Sequence, residues 1–275
     1  MIKLILIIKM DNNPLVSIIT VAYNAGPFME KTIQSVLSQT YSLIEYIIID
    51  GGSTDNTVDI IKKYNDHIAY WRSEKDNGIS EAFNKGLSKA TGDIIGIINA
   101  DDWYENDTIE KVVNNFGNAN IVYGDLQIWK REKKDFIQKG DHRLLAREMT
   151  VNHPTVFIKT DCYKKWGNFS EEYKCAMDYD LMLRLYTNNC HFKYIPSVLS
   201  NMRLEGISDY NWPLGCRETL AIKNKYMPTQ KIKNYLYYCK HVLAIAMPRA
   251  LKRLGLSPAV KLYRSRFSQL KKIYH

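Results

Sequence analysis

The 275-residue chain contains no Cys-x-x-Cys pair, no Gly-x-Gly-x-x-Gly after its first apolar run, no Gly-Lys-Ser/Thr phosphate loop and no apolar stretch approaching a membrane span. Each absence removes a class. Without the glycine fingerprints, neither a dinucleotide-dependent oxidoreductase nor a nucleoside triphosphatase is supported. The five cysteines (Cys162, Cys175, Cys190, Cys216, Cys239) are scattered and odd in number, which fits a reducing compartment and argues against a zinc site or a disulfide framework. The run Leu4 to Ile8 sits between Lys3 and Lys9, is far short of the ~20 residues of a spanning helix, and is followed by no small-residue cleavage site; it reads as neither signal peptide nor anchor. Acid is also missing from one end. Residues 217–275 hold 14 Lys and Arg against the single acid Glu218, whereas the other 216 residues carry 24 basic and 28 acidic side chains. The formal charge of +9 therefore belongs to a tail, and the body is a slightly acidic domain with 45% hydrophobic residues, enough for a full core.

The body is organised around Gly92 to Tyr104, in which the apolar run Ile94 to Ile98 ends in Asn99-Ala-Asp101-Asp102. Such a run is too short for a helix and too apolar for a one-faced strand, so it predicts a central strand of a parallel sheet, buried on both faces. In open α/β sheets ligands bind beyond the carboxyl ends of the strands, so two acids there are placed to hold a hard cation, which can in turn neutralise a phosphate. A turn and the cap of a helix starting near Asn106 are the plainer reading of the same residues.

Three further strands are predicted at Val16–Val21, Tyr46–Ile49 and Ile68–Trp71, with helices after Pro27, over Asn56–Tyr64 and over Ile79–Ala90. Ser53, Thr54 or Asp55 can cap the second helix. Four strands alternating with three helices give the βαβ pattern of a doubly wound α/β sheet. Beyond Phe116, strands are expected at Ile121–Tyr123, Leu126–Trp129 and His153–Ile158, a solvated turn at Lys130–Lys134, a packed corner at Trp166–Phe169 and a helix from about Asp178, in which Asp180 and Arg184 are i, i+4 partners that read as a helix-face salt bridge.

Several motifs in order carry a resemblance over roughly Pro14 to Asn201: Val16-Ser-Ile-Ile-Thr-Val-Ala-Tyr-Asn24, Asp50-Gly-Gly-Ser-Thr-Asp55, Asp76-Asn-Gly-Ile-Ser-Glu-Ala-Phe-Asn-Lys-Gly86, Gly92 to Tyr104, His153-Pro, and Met177-Asp-Tyr-Asp-Leu181. The chain resembles bacterial glycosyltransferases of family 2, inverting enzymes with the GT-A fold. The resemblance implies a catalytic domain over 1–210, with its nucleotide-sugar half at about 14–104 and its acceptor half at about 105–210, and a basic helical extension over 211–275. It implies Thr20, Tyr23 and Asp50 around the base and ribose, Asp76 closing the nucleotide pocket, and Lys85 facing a phosphate, for which a solvated helix position is the alternative. Asp102 matches the residue that holds Mg²⁺ or Mn²⁺, with Asp101 on the ribose or a metal-bound water; Asn99 stands where the family usually has Asp. Asp178 matches the general base, preceded here by Met177 where Glu is usual. His153 and Trp166 resemble residues lining the acceptor side, and Arg203, opening Arg203-Leu-Glu-Gly-Ile-Ser208, resembles the loop that folds over the diphosphate.

In the tail, Pro228, Pro248 and Pro258 are expected to cut the chain into short helical segments carrying aromatic and aliphatic residues among lysines. A basic, aromatic-rich tail without a span reads as lying on an anionic membrane surface, ahead of nucleic acid, with packing on its own domain or on a second copy in a homodimer as the alternative. Taken together, the expectation is a transfer from a nucleotide-sugar donor, UDP-linked first, to a lipid-linked saccharide acceptor at the cytoplasmic face of a bacterial membrane, in O-antigen, capsule or exopolysaccharide synthesis. A nucleotidyltransferase using a similar sheet and metal, or a catalytically silent nucleotide-sugar-binding scaffold, are the rivals.

Overall fold

The computed structural model describes residues 13–130, 132–203 and 211–255, which fall into two compact units, Met1–Gly206 and Ile207–His275. In the first, β1 (Val16–Ala22), β2 (Ile44–Asp50), β3 (Tyr70–Ser73) and β4 (Ile94–Asn99) alternate with α1 (Gly26–Leu37), α2 (Thr57–Lys63) and α3 (Ile79–Lys89). The four strands pair in parallel in the order β3-β2-β1-β4. The wholly apolar run of β4 is explained by its place inside this sheet, where Ile94, Ile95, Ile97 and Ile98 are all buried. Both faces are covered: Met29, Ile33 and Val36 of α1 and Ile60 and Ile61 of α2 join Ile18, Ile48 and Ile98 in one core, and on the other face α3 packs with Gly86 against Ile19.

The second half of the unit continues the same sheet. β5 (Trp103–Tyr104) is followed by α4 (Thr108–Phe116), β6 (Ile121–Lys130), β7 (Lys133–Gln138), a 3-10 turn at His153–Thr155, β8 (Phe157–Lys159), α5 (Thr160–Trp166), α6 (Met177–Thr187) and β9 (Phe192–Arg203). The strand order is β3-β2-β1-β4-β8-β6-β9-β5, with β7 paired to β6, so the sheet is parallel through its first half and mixed thereafter. This is the expected α/β architecture.

Several expectations for this half are corrected. Ile121–Tyr123 and Leu126–Trp129 form one strand, because register shifts at Asp125 carry the chain through what reads as a break. The charged segment at Lys130–Lys134 is not simply a turn: Lys133–Gln138 returns as an exposed strand against β6. Pro154 opens a 3-10 turn that delays strand β8 to Phe157. The helix α5 and the long strand β9 were not expected, the first hidden by its length of seven residues and the second by its alternation being broken at Pro196.

In the second unit, α7 (Trp212–Tyr226) and α8 (Lys231–Arg253) form an antiparallel hairpin about Pro228. Lys223 lies 4.0 Å over the Tyr237 ring, and Arg249 lies 5.4 Å over Trp212 at the other end. Pro248 does not cut α8, contrary to expectation, because residues on both sides of it are held against α7. Pro258, the run Leu4–Ile8 and most of the segment after Arg203 lie outside the described residues. Among the described residues no helix is long and apolar enough to cross a membrane.

Close approach fixes one glycine. A Cβ at Gly96 of β4 would lie 2.4 Å from a Phe157 ring carbon in the neighbouring strand. Gly96→Ala is therefore expected to lower stability by about 1–3 kcal/mol through overpacking, read as a drop in thermal unfolding midpoint; an unchanged midpoint would show that β4 and β8 separate freely.

Candidate active site

Parallel register brings the carboxyl ends of four strands to one edge. Ala22 stands opposite Asp50, Asp50 opposite Ser73, and Val21 opposite Asn99. Every loop that leaves this edge carries polar residues, and the loops are tied to one another. Asn24 donates its N–H to Ser53 Oγ (2.8 Å) and accepts from Thr54 N (2.8 Å) through its amide oxygen. Asp55 accepts from Gly26 N and from Thr57 N, both at 3.0 Å, so one carboxylate serves the starts of both α1 and α2. Hydrogen bonds to it, that of Thr57 foremost, hold its carboxyl below the usual range.

Asp50 is fully buried and fully used. Its carboxylate accepts from Ser53 Oγ (2.5 Å), Ser53 N (2.9 Å), Gly52 N (3.2 Å) and Ser73 Oγ (2.6 Å). A carboxylate has about four acceptor positions. Asp50 therefore braces the loop Gly51-Gly-Ser53 at the carboxyl edge of the sheet. Asp76 closes on the same loop from the far side: its Oδ2 lies 2.6 Å from where a Gly51 Cβ would be, and its Oδ1 accepts from Gly78 N at 3.0 Å. Tyr23, 66% exposed at the end of β1, is open to a ligand.

Two of the expected donor residues are engaged by protein side chains. Thr20 is sealed in the core, 0% exposed, with its hydroxyl 3.0 Å from that of Tyr46. Lys85 is engaged by Glu81 (2.8 Å) and Glu74 (3.2 Å) on the surface of α3, and its pKa is raised, mainly by the hydrogen bond to Glu81.

The acidic turn after β4 is different in kind. Asp102 is 1% exposed, yet its Oδ1 has no hydrogen-bond partner, and neither has the buried Asn99 Oδ1. Burial, followed by repulsion from Asp101, pushes the Asp102 carboxyl well above the usual range, while the Asn99 side chain and Arg203 pull weakly the other way. Asp101 is raised as well, chiefly by burial. The turn is held from below by α1: Thr32 Oγ1 donates to the carbonyls of Ala100 (2.9 Å) and Asp102 (2.6 Å), and Tyr104 N donates to Ser35 Oγ (3.2 Å). Thr32 and Ser35 were missed by sequence reasoning, although polar residues at i, i+3 on an otherwise apolar helix face are the available signal.

Arg203, at the end of β9, lies 4.6 Å over the ring of Phe28 and 5.2 Å over that of Trp103, and pairs with Glu132. Lys31 caps the same Trp103 ring at 3.2 Å. Two cations and two aromatic rings thus stand beside the acidic turn, a grouping drawn from α1, β5 and β9 that no local pattern reveals.

Asp178 lies in the first turn of α6 with Oδ1 accepting from Tyr179 N at 2.7 Å. Its surroundings raise its pKa to about 6, burial being the main cause. The next acid, Asp180, is buried and paired with Arg184 at 2.9 Å, as a helix-face salt bridge. Arg184 also donates to the carbonyls of Trp166 (2.7 Å) and Asn168 (2.8 Å), fixing the turn that carries Trp166. His153 stacks on Phe83 of α3 (5.3 Å, 27°) and meets Phe169 edge-on, and burial lowers its pKa to about 4, so it is neutral at physiological pH. The side-chain amide of Asn84 in α3 donates to the Phe169 carbonyl and accepts from its N–H, which links the helix that follows Asp76 to the segment leading to Asp178. A separate cavity of about 490 Å³, lined by His142, Tyr186, Cys190 and Phe192 among others, adjoins the far end of α6 from Asp178 and contains none of the expected residues.

Known proteins share this architecture. An uncharacterised glycosyltransferase of Rickettsia typhi is 31% identical over 218 residues, covering 74% of this chain and 68% of that one. Chondroitin synthase of Pasteurella multocida is 28% identical over 236 residues, covering 82% of this chain and 24% of the synthase. Among solved structures, S. aureus TarS 1-349 in complex with UDP-GlcNAc aligns with a TM-score of 0.62 at 16% identity over 87% of this chain and 79% of that one. A mannosyltransferase of Pyrobaculum calidifontis in complex with GDP-Man and Mn²⁺ aligns with a TM-score of 0.62 at 18% identity, covering 94% and 76%. A family model described as glycosyl transferase family 2 matches residues 17–177. The chain belongs to glycosyl transferase family 2.

Proposed function

We propose that the protein is an inverting, metal-dependent transferase that moves a sugar from a UDP-sugar to a polyprenyl-diphosphate-linked saccharide during synthesis of a bacterial surface polysaccharide. The observation that carries the catalytic part is the contrast between two acids at the same sheet edge. Asp50 has both carboxylate oxygens engaged by protein, three hydrogen bonds at Oδ2 and one at Oδ1, whereas Asp102 keeps a buried carboxylate oxygen with no partner. A buried unpaired carboxylate is costly, and a hard cation is the partner that removes the cost.

The residues present fit such a cation. Asp102 would hold Mg²⁺ or Mn²⁺, with Asp101 and the Asn99 carbonyl oxygen beside it. Among the described residues no group of three or more His, Cys, Asp or Glu is placed to hold a metal ion by itself. When bound, the ion supplies Lewis-acid stabilisation of the leaving nucleoside diphosphate.

The chain's own groups do the rest. Tyr23 and the loop braced by Asp50 and Asp76 receive the nucleoside. Arg203, already desolvated between Phe28 and Trp103, offers positive charge to the departing diphosphate. Asp178 takes the proton of the acceptor hydroxyl as that oxygen attacks the sugar carbon; one C–O bond forms, the bond to the diphosphate oxygen breaks on the opposite face, and the proton remains on the carboxyl. A pKa of about 6 suits this role, since the group is ionised at physiological pH and still basic enough to accept a proton. Trp166 and His153 form part of the acceptor wall, His153 as a neutral ring. The helical extension supplies a membrane contact: Ile232, Leu236, Leu243 and Met247 are exposed at spacings of four, seven and four residues along α8, one stripe among lysines. This arrangement supports a peripheral enzyme on the cytoplasmic face of the membrane.

Variants of three acids, with metal removal and a pH profile, test the reading. Asp102→Asn should abolish transfer and make the metal-free protein more stable at pH 7 by about 1–2 kcal/mol, because it removes a charge that folding buries. The sign follows from the raised carboxyl: its penalty is absent below the unfolded pKa and grows as pH rises above it, so the stability difference should vanish on acidification below about pH 4. Full activity of the wild type in EDTA would refute the metal role. For Asp178, turnover at saturating donor and acceptor should fall about tenfold per pH unit below about 6, and Asp178→Asn should lower it by ~100-fold or more while donor affinity by calorimetry is retained. Asp50→Ala should weaken donor binding and lower the unfolding midpoint together, since it orphans Ser53, Gly52 and Ser73 at once; donor affinity lost at full stability would instead mean a direct contact with the nucleotide.

A further inference from the structure

The β6–β7 hairpin projects from the catalytic unit as an exposed, basic element that the transfer reaction does not use. Lys133 to Ile137 are all exposed, and Phe136 and Ile137 are 38% and 45% so. Adjacent strand residues point to opposite faces, so exposure of both means that neither face of β7 is fully covered. The tip concentrates like charge. Lys130 and Lys133 are direct cross-strand partners, and Lys134 stands opposite Trp129. Like charges directly opposite one another in a sheet are destabilising. Of the two acids near the tip, Glu132 is turned to Arg203, from a backbone held at φ 60°, and Asp135 lies exposed on β7. The hairpin therefore gathers more cations than acids, faces two lysines together, and commits one of its two carboxylates elsewhere.

Charge complementarity and chemistry identify the occupant. A polyanionic surface relieves the Lys130–Lys133 repulsion, and large apolar side chains beside those lysines gain from entering an apolar layer. We propose that the β6–β7 hairpin docks on an anionic lipid bilayer, with Lys130, Lys133 and Lys134 at the headgroup phosphates and Phe136 and Ile137 in the interface. This contact lies in the catalytic unit and is separate from that of the helical extension. It deepens the reading of a membrane-side enzyme with a lipid-linked acceptor and rests on it for its purpose: β6 and β9 tie the hairpin to Arg203, so a bilayer held there lies beside the candidate site.

The test is cosedimentation of the full-length protein with vesicles of phosphatidylcholine, with and without phosphatidylglycerol. Wild type should bind the anionic vesicles and bind pure phosphatidylcholine at least tenfold more weakly. Lys130→Glu/Lys133→Glu should weaken binding to the anionic vesicles at least tenfold, since each cation near such a surface contributes about a factor of five. Ile137→Ser, a milder change that guards against misfolding of the double variant, should weaken it severalfold. All variants should keep metal-dependent hydrolysis of the nucleotide sugar, which tests the transferase reading separately. Anionic-vesicle binding unchanged in both variants would overturn the proposal and leave the contact to residues 211–275. Equal wild-type binding to both vesicle types would overturn the charge argument, and a wild-type dimer made monomeric by the hairpin variants would show that the surface is a protein interface.

Discussion

A carboxylate taken out of water must be met by positive charge, and the candidate site is arranged around one that the protein itself does not meet. Asp102 is as buried as the isoleucines of the strand before it, and its Oδ1 has no partner. The effective penalty for a buried unpaired charge is several kcal/mol, a large share of a domain's net stability of about 5–15 kcal/mol. The Asn99 side chain, the Arg203 backbone and the Arg203 charge offset it only in part. The turn persists because Thr32 of α1 grips two of its carbonyls and because β4, buried on both faces, cannot slide without exposing an apolar run. The core thus holds in place an acid that would relax outward if it were on a free loop.

The two sides of the sheet edge divide the work. Asp50 and Asp55 are satisfied acids: their hydrogen bonds come from hydroxyls and backbone N–H groups of neighbouring loops, and they convert those loops into a fixed wall. Asp102 and Asp178 are acids whose surroundings lift their pKa, one by burial and a neighbouring carboxylate, the other by burial that its backbone hydrogen bonds do not cancel. Perturbed carboxyls gather where chemistry is done, while satisfied ones gather where shape is kept. Residues that resemble one another as strand-end aspartates in a linear motif are separated into these roles only by counting their hydrogen bonds.

That is also the measure of what the sequence made legible. The first four strands and three helices were readable because each is a run of one period ending in turn residues, and β4 in particular has no other stable place than inside a sheet. The segment after Phe116 was read less well for physical reasons. β6 carries register shifts, β9 contains Pro196, and β5 is two residues long, so their pairing is decided by partners 70 to 100 residues away and not by local pattern. The motif acids were all visible, but Thr20 and Lys85 illustrate the limit. Their positions follow the motif, yet the Tyr46 hydroxyl claims one and Glu74 and Glu81 claim the other. A motif fixes where a side chain starts, and its neighbours decide what it touches.

Net charge gives a similar lesson at larger scale. Counting separates a basic tail from an acidic body, and that division holds for composition. It hides a local reversal, because the hairpin from Lys130 to Gln138 places lysines on a strand projecting from the acidic unit, next to the aromatic pair Trp103 and Trp129 and the cation Arg203. Arg203 is shared between the two environments: its guanidinium pairs with Glu132 at the hairpin tip while its charge reaches Asp101 and Asp102. Whatever anion enters the site competes with Glu132 for Arg203. The hairpin tip and the buried acids after β4 are thereby placed on the same small electrostatic network, through one arginine at the end of one strand.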